Sequence, residues 1–169
     1  PFVHRASEEQ CRFTTRSVQQ AIDMTPMSDM TTWVELEDVS NHERRLLHER
    51  HLISRQHAES QLPRAVAVST AAAMSIMVNE EDHVRVQAIA TGLQPDPCFH
   101  RIRKVDIHLE EQLEWAFHEQ LGYQCACPTN VGTGVRFSAM LHLPALTHTQ
   151  ELEKVRQAAK DLRLADRGN

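Results

Sequence analysis

The sequence predicts an α+β fold: an antiparallel sheet flanked by helices. Three observations carry that prediction. Predicted strands come in groups instead of alternating one for one with helices, which disfavours a doubly wound parallel sheet. Stretches of strict apolar–polar alternation, such as Val84-Arg85-Val86-Gln87-Ala88-Ile89, mark half-buried strands. One long stretch instead carries Ile102, Val105, Leu109, Leu113 and Ala116 at spacings of three and four, the stripe of an amphipathic helix.

The elements follow in order. Residues 6–22 predict a helix, with Ser7 as N-cap and Glu8 and Glu9 in its first turn. Residues 24–29, with Pro26 inside, predict a turn. Thr31 to Leu36 is β-rich and predicts a strand, and the charged run His42 to His51 a short helix. Residues 66–69, 74–79 and 84–89 predict three more strands. The last two flank an acidic bend, Glu80-Glu81-Asp82, and so read as antiparallel neighbours. The long helix is expected from Pro97 to Gln120, with Gly122 in the C′ role. A strand over 123–127, a loop over 128–134 and a strand over 135–143 follow, the last closed by Pro144. Thr149 is expected to cap a final helix to Leu162, and Leu162-Arg163-Leu164 to begin another strand. No repeat or low-complexity linker divides the chain.

Composition narrows the function. At 169 residues the chain predicts one domain with a core that needs no disulfide staples. Eighteen basic against 23 acidic residues give a net charge of -5, which argues against a polybasic nucleic-acid or membrane binder. No apolar run approaches the ~20 residues that span a bilayer, and Pro1-Phe2-Val3-His4-Arg5 is no secretory leader. The four cysteines are therefore expected as reduced thiols in the cytoplasm. Cys125 and Cys127, one residue apart, have neither a thioredoxin-like nor a zinc-knuckle spacing. Pro1 in place of Met predicts a processed, trimmed or partial chain.

Few residues suggest chemistry by themselves. An acidic run such as Glu80-Glu81-Asp82 reads first as a solvated turn. Arg85 and Arg136 each lie on the polar side of a predicted strand just after a loop, where two guanidinium groups can converge on one anion. Gly132-Thr133-Gly134 is either a phosphate cradle or a plain hairpin, and leads into neither a Walker nor a Rossmann pattern. Eleven histidines include no His-Glu-x-x-His, so no dedicated metal site is expected, and most of them are expected to be exposed. No Gly-x-Ser-x-Gly nucleophile is present.

Two longer stretches say more. Asn79-Glu80-Glu81-Asp82-His83-Val84-Arg85 resembles the Asn-Glu-Glu-Asp-His-x-Arg signature of the ATP:guanidino phosphotransferases, the family of arginine kinase, creatine kinase and the bacterial protein arginine kinases. Cys127-Pro128-Thr129-Asn130-Val131-Gly132-Thr133-Gly134-Val135-Arg136 resembles that family's active-site signature. Glu49-Arg50-His51-Leu52-Ile53-Ser54 and Met140 to Leu146 are similar to its bacterial protein arginine kinase branch. The resemblance is strong from Leu47 to Leu146 and implies a guanidino-kinase catalytic-domain fold, with residues 1–169 as a single, partial catalytic domain.

The resemblance also implies a reaction, transfer of the ATP γ-phosphoryl group to a guanidino nitrogen, with arginine side chains of proteins as the favoured acceptor. Glu81 matches the carboxylate that orients the guanidinium and takes its proton, and Cys127 the reactive cysteine. His51, Arg85, Arg136 and the segment Phe137, Ser138, Ala139 and Met140 match nucleotide contacts, and Arg167 a further ATP arginine. ATP and Mg²⁺ are the implied cofactors, the metal held mainly through the nucleotide. Implied partners are protein substrates with exposed arginine, and a protease or chaperone system that reads the mark. Nothing here matches the family's upstream Ser-x-Arg-x-Arg segment or its second glutamate loop. The chain is therefore expected to bind ATP weakly, to turn over slowly and to self-associate. A phosphagen kinase acting on a free guanidino metabolite, and a non-catalytic nucleotide- or partner-binding pseudokinase, remain the alternatives.

Overall fold

Ser7 opens the first helix, α1 (Glu8–Asp23), with a capping box: its side chain accepts from the Gln10 N–H while Gln10 reaches back to the Ser7 N–H. The computed structural model describes residues 1–71 and 73–166. After α1 come β1 (Thr31–Glu35), α2 (Asn41–Glu49), α3 (Arg55–Glu59), β2 (Ala65–Ser69), β3 (Met74–Val78) and β4 (Val84–Ala88). Ser40 and Glu43 form a second capping box on α2, and Ser54 caps α3. The helix α4 (Pro95–Glu110) follows, then the short hairpin β5 (Phe117–His118) and β6 (Gly122–Tyr123), and a 3-10 turn, Pro128–Asn130. One compact unit runs from Pro1 to Phe137, and a second begins at Ser138.

The main sheet is antiparallel in the order β1-β2-β3-β4. Alternation sorts its side chains by face. Ala65, Ala67, Ile76 and Val78 turn to one side and pack with Val18, Ala21 and Ile22 of α1 and Val105 and Leu109 of α4. Val66 and Met77 turn to the other side with Leu36 and Ile53, and Leu47 of α2 and Ala58 of α3 pack there. The sheet is thus the middle of three layers. Arg85 pairs with Met77 and Gln87 with Ser75 in the β3–β4 register, which sets both on the α2–α3 face.

Several expectations about the second half are corrected. α4 ends at Glu110, not near Gln120. The N–H groups of both Gln112 and Leu113 bond to the Leu109 carbonyl, so the chain tightens and turns. Leu113 and Trp115 still pack on the core, which is why the apolar stripe outruns the helix. Gly122 caps no helix. It sits in β6 at φ 78°, and a Cβ there would lie 2.2 Å from the Gly132 carbonyl oxygen, so the close approach of two backbones requires glycine. The strand expected over 123–127 shrinks to Gly122–Tyr123, extended by a bridge from Tyr123 to Gly132.

Residues 135–143 alternate as a strand should but pair with no described strand, because alternation marks a face and only a partner makes a ladder. In the second unit, α5 (Pro144–His148) precedes α6 (Leu152–Asp161). Thr149 closes α5 by donating to the Ala145 carbonyl instead of capping α6. Leu162 to Leu164 form no strand: their N–H groups bond back to Ala158, Lys160 and Ala159, with Arg163 at φ 57° ending the helix. Among the described residues no helix is long and apolar enough to cross a membrane.

Candidate active site

The site grows from the turn between β3 and β4. Asn79 has φ 59°, the left-handed conformation that asparagine tolerates best after glycine. The turn closes through the Asn79 N–H to the His83 carbonyl at 2.9 Å and the Glu80 N–H to the Asp82 carbonyl at 3.1 Å. The Asn79 side chain is fully buried. Its Nδ2 lies 2.9 Å from the Cys11 carbonyl, 3.1 Å from the Pro63 carbonyl and 3.2 Å from Thr15 Oγ1, and its Oδ1 faces His83 Nδ1 at 2.9 Å. One amide therefore ties the acidic turn to α1 and to the entry of β2.

Glu80 is the buried carboxylate of the three acids. Its Oε1 accepts from Ser54 Oγ at 2.5 Å, and its Oε2 from the Glu81 N–H at 2.8 Å and Arg85 Nη1 at 3.3 Å. Burial alone would raise the Glu80 pKa, but those three donors outweigh it and hold the carboxyl below its ordinary range. Arg64, also buried, donates to the Gln56 carbonyl at 3.2 Å. Burial lowers the Arg64 pKa and the charge of Glu80 opposes that, so the two are counter-charges inside one layer. His57, buried beside them, donates from Nε2 to the Val78 carbonyl at 3.0 Å, and burial lowers its pKa to about 4. The sequence predicts mostly exposed histidines, and His57 is buried while His83 and His108 are half-buried.

The segment between α2 and α3 is clipped to the same face. His51 has φ 57°. Gln87 Nε2 donates to the His51 carbonyl at 2.6 Å and to Ser75 Oγ at 3.0 Å, and Ser75 Oγ donates to the Leu52 carbonyl at 2.7 Å. His51 thus comes to the sheet face that carries Arg85, with its side chain exposed.

The third piece is the loop 124–134. Asp82 Oδ1 accepts from the Ala126 N–H at 2.6 Å, which draws the acidic turn against the cysteine loop. Cys127 Sγ lies 3.0 Å from Thr129 Oγ1. Glu81 is half-buried beside them, and its charge helps raise the pKa of Cys125, where burial acts first and Asp82 second.

Of the residues singled out in the sequence, Glu81, Arg85, Cys127 and His51 gather in this way. Arg136 is exposed and makes no hydrogen bond or ion pair among the described residues. Phe137 is exposed, its ring centroid 5.9 Å from that of Phe99. Ser138, Ala139 and Met140 belong to the second unit and are exposed. Arg167 lies outside the described residues. Sequence reading missed Ser54, Gln87, Asn79 and Glu80 as organisers. Gln87 had a visible signal, because it sits two residues from Arg85 on the same strand face.

The family model described as ATP:guanido phosphotransferase, C-terminal catalytic domain, matches residues 13–169. A protein-arginine kinase from Symbiobacterium thermophilum is 42% identical over 99% of this chain and 48% of its own length. One from Clostridium novyi is 39% identical over 99% of this chain and 49% of its own length. The chain therefore spans about half the length of the curated relatives it matches. Among solved structures, the duplicated taurocyamine kinase from Schistosoma mansoni with bound transition state analog components superposes with a TM-score of 0.77, at 19% identity over 88% of this chain and 22% of that one. Lombricine kinase does so with a TM-score of 0.69, at 22% identity over 79% of this chain and 41% of that one. At these identities the two superpositions speak for the fold. With the match of the family model over nearly its whole length, the chain belongs to the ATP:guanido phosphotransferase family, in the part that forms the C-terminal catalytic domain.

Proposed function

We propose that this chain takes part in ATP-dependent phosphorylation of a guanidino group, with arginine side chains of proteins as acceptor. The observation that supports it most is the bond from the Ala126 N–H to Asp82, which sets the loop of Glu81 against the loop of Cys127 beside Arg85. Its near-full-length matches are named protein-arginine kinases, which favours a protein acceptor.

The chemistry needs what these residues offer. A guanidinium is protonated and its lone pairs are delocalised, so it must be held in line and relieved of a proton. Glu81 would orient it and accept that proton, and Cys127 would contact it from the neighbouring loop. Charge builds on the leaving phosphate, and Arg85 and Arg136 would neutralise it. His51 and residues 137–140 would contact the nucleotide, as would Arg167. Among the described residues no three His, Cys, Asp or Glu side chains converge as a metal cage. Mg²⁺ would be held by phosphate oxygens and water, where it screens the transferred charge. Proteins with exposed arginine would be the substrates, a protease or chaperone system the reader of the product, and the cytoplasm the setting.

Calorimetry of ATP–Mg²⁺ binding to this chain, beside Arg85→Ala and Arg136→Ala, tests the nucleotide half. Binding that either substitution abolishes supports the reading, whereas binding indifferent to both overturns it. Phosphoryl transfer to a protein acceptor compared with free arginine tests the acceptor half, and transfer to free arginine alone overturns it.

A further inference from the structure

The mechanism above uses Cys127 and leaves Cys125 without a role. Both are free and half-buried, with one residue between them. In an extended strand such a pair shares a face but stands about 7 Å apart, two residues at ~3.3 Å each. A disulfide needs Cβ atoms about 3.8 Å apart. Here the chain bends between them, although Cys127 itself is extended at φ -91° and ψ 121°. Ala126, between the two, is pinned by Asp82 and lies in a bend, and the 3-10 turn Pro128–Asn130 starts at once, closed by the Asn130 N–H to the Cys127 carbonyl at 2.9 Å. Both sulfurs lean on that turn: Cys125 Sγ donates to the Asn130 carbonyl at 3.5 Å, and Cys127 Sγ lies 3.0 Å from Thr129 Oγ1.

Burial, then Asp82, Glu81 and Cys127, push the Cys125 thiol up, so it keeps its proton. Of the other two cysteines, Cys11 is sealed in the core, its pKa raised by burial, and Cys98 is half-buried in the first turn of α4.

We propose that Cys125 is a resolving thiol for Cys127, and that the pair is a reversible oxidation site for hydroperoxides. In the first step the Cys127 thiolate attacks the outer oxygen of the peroxide, the O–O bond breaks, and an alcohol or water leaves with a proton from solvent. Cys127 becomes a sulfenic acid, oxidised by two electrons, and the peroxide is reduced by two. In the second step Cys125 sulfur attacks Cys127 sulfur, the S–O bond breaks, and the Cys125 proton leaves with the hydroxide as water. A dithiol returns both thiols by exchange. Only the consequence, loss of phosphoryl transfer while the bridge stands, rests on the kinase reading.

Trypsin supplies a direct test, because the peptide 105–136 contains Cys125 and Cys127 and no other cysteine. The full chain is treated with one equivalent of hydrogen peroxide, labelled with N-ethylmaleimide, digested and weighed. The expected peptide is lighter by two hydrogen atoms and unlabelled, and dithiothreitol before labelling restores two labels. In Cys125→Ser the same dose should leave Cys127 as a sulfenic acid that dimedone traps, and two further equivalents should drive it on to sulfinic and sulfonic acid. Sulfinic or sulfonic Cys127 beside a labelled Cys125 in the unsubstituted chain overturns the proposal, as does a bridge to Cys98 or to a second chain. ATP–Mg²⁺ calorimetry on the reduced sample separates the two readings. Its failure counts against the kinase, while the masses alone decide the bridge.

Discussion

Arg85 in the acidic corner over residues 79–87 and Arg136 near the end of the first unit are the two proposed phosphate contacts, yet they are built in opposite ways. Arg85 is fixed by a buried carboxylate, which a serine, a backbone N–H and a neighbouring layer hold in turn. Arg136 has no such scaffold among the described residues, and the segment after it forms no ladder. One guanidinium is placed before any ligand arrives. The other depends on what it meets. Placement by buried bonds costs stability when it is disturbed, whereas placement by a ligand costs affinity only, and this difference makes the comparison testable.

The largest effect should come from Asn79→Ala. Its amide serves buried acceptors on α1 and before β2, and alanine also fits φ 59° less well. A loss of about 4 kcal/mol is expected from groups left unsatisfied in the interior and from backbone strain, read as a lower urea midpoint. A loss near zero would mean that the corner does not depend on this side chain.

Acid should come next. His57 is neutral in the folded chain with a pKa of about 4, against 6.5 for the exposed group. The unfolded chain therefore binds the extra proton, and stability is full above pH 6.5 and falls as pH drops toward 4. The loss is about 3 kcal/mol by linkage. Glu80 adds a loss of the same sign at lower pH, because its folded pKa lies below its ordinary value. Urea midpoints across pH 4–7 should show the slope, and His57→Gln, which retains an N–H donor, should flatten it.

Ser54→Ala should cost about 1–2 kcal/mol, since it removes both the α3 cap and a donor to Glu80. It should weaken nucleotide affinity as well, because Arg85 then shares a carboxylate with one holder fewer. The smallest stability change should be that of Arg136→Ala, with an unmoved urea midpoint and yet a loss of ATP–Mg²⁺ binding. A shift as large as that of Ser54→Ala would erase the contrast between the two arginines.

The sheet was legible because its strands are short, bounded and alternate cleanly, and α1 because Ser7 and Gln10 form a complete local device. The chemistry-bearing acids were legible through their signature alone. What could not be read depended on distant partners. The end of α4 was hidden because Leu113 and Trp115 continue the apolar stripe on the same core after the helix has stopped. Residues 135–143 carry a strand pattern, but a strand needs a neighbour that periodicity does not name. Ser54 and Gln87 are ordinary polar residues until folding brings them to partners 26 and 36 positions away, Glu80 and the His51 carbonyl.

Strand order in the sheet equals strand order in the chain. Each strand can therefore zip onto its predecessor as it leaves the ribosome, with modest loop-closure cost. The acidic turn is complete once β4 has joined β3, when Ala126, its tether to the cysteine loop, has yet to leave the ribosome. Synthesis thus assembles the proposed proton acceptor first and docks the thiol loop onto a finished surface. Pulse-labelled hydrogen exchange during refolding should protect the amides of β2 to β4 before that of Ala126, and simultaneous protection would contradict this order.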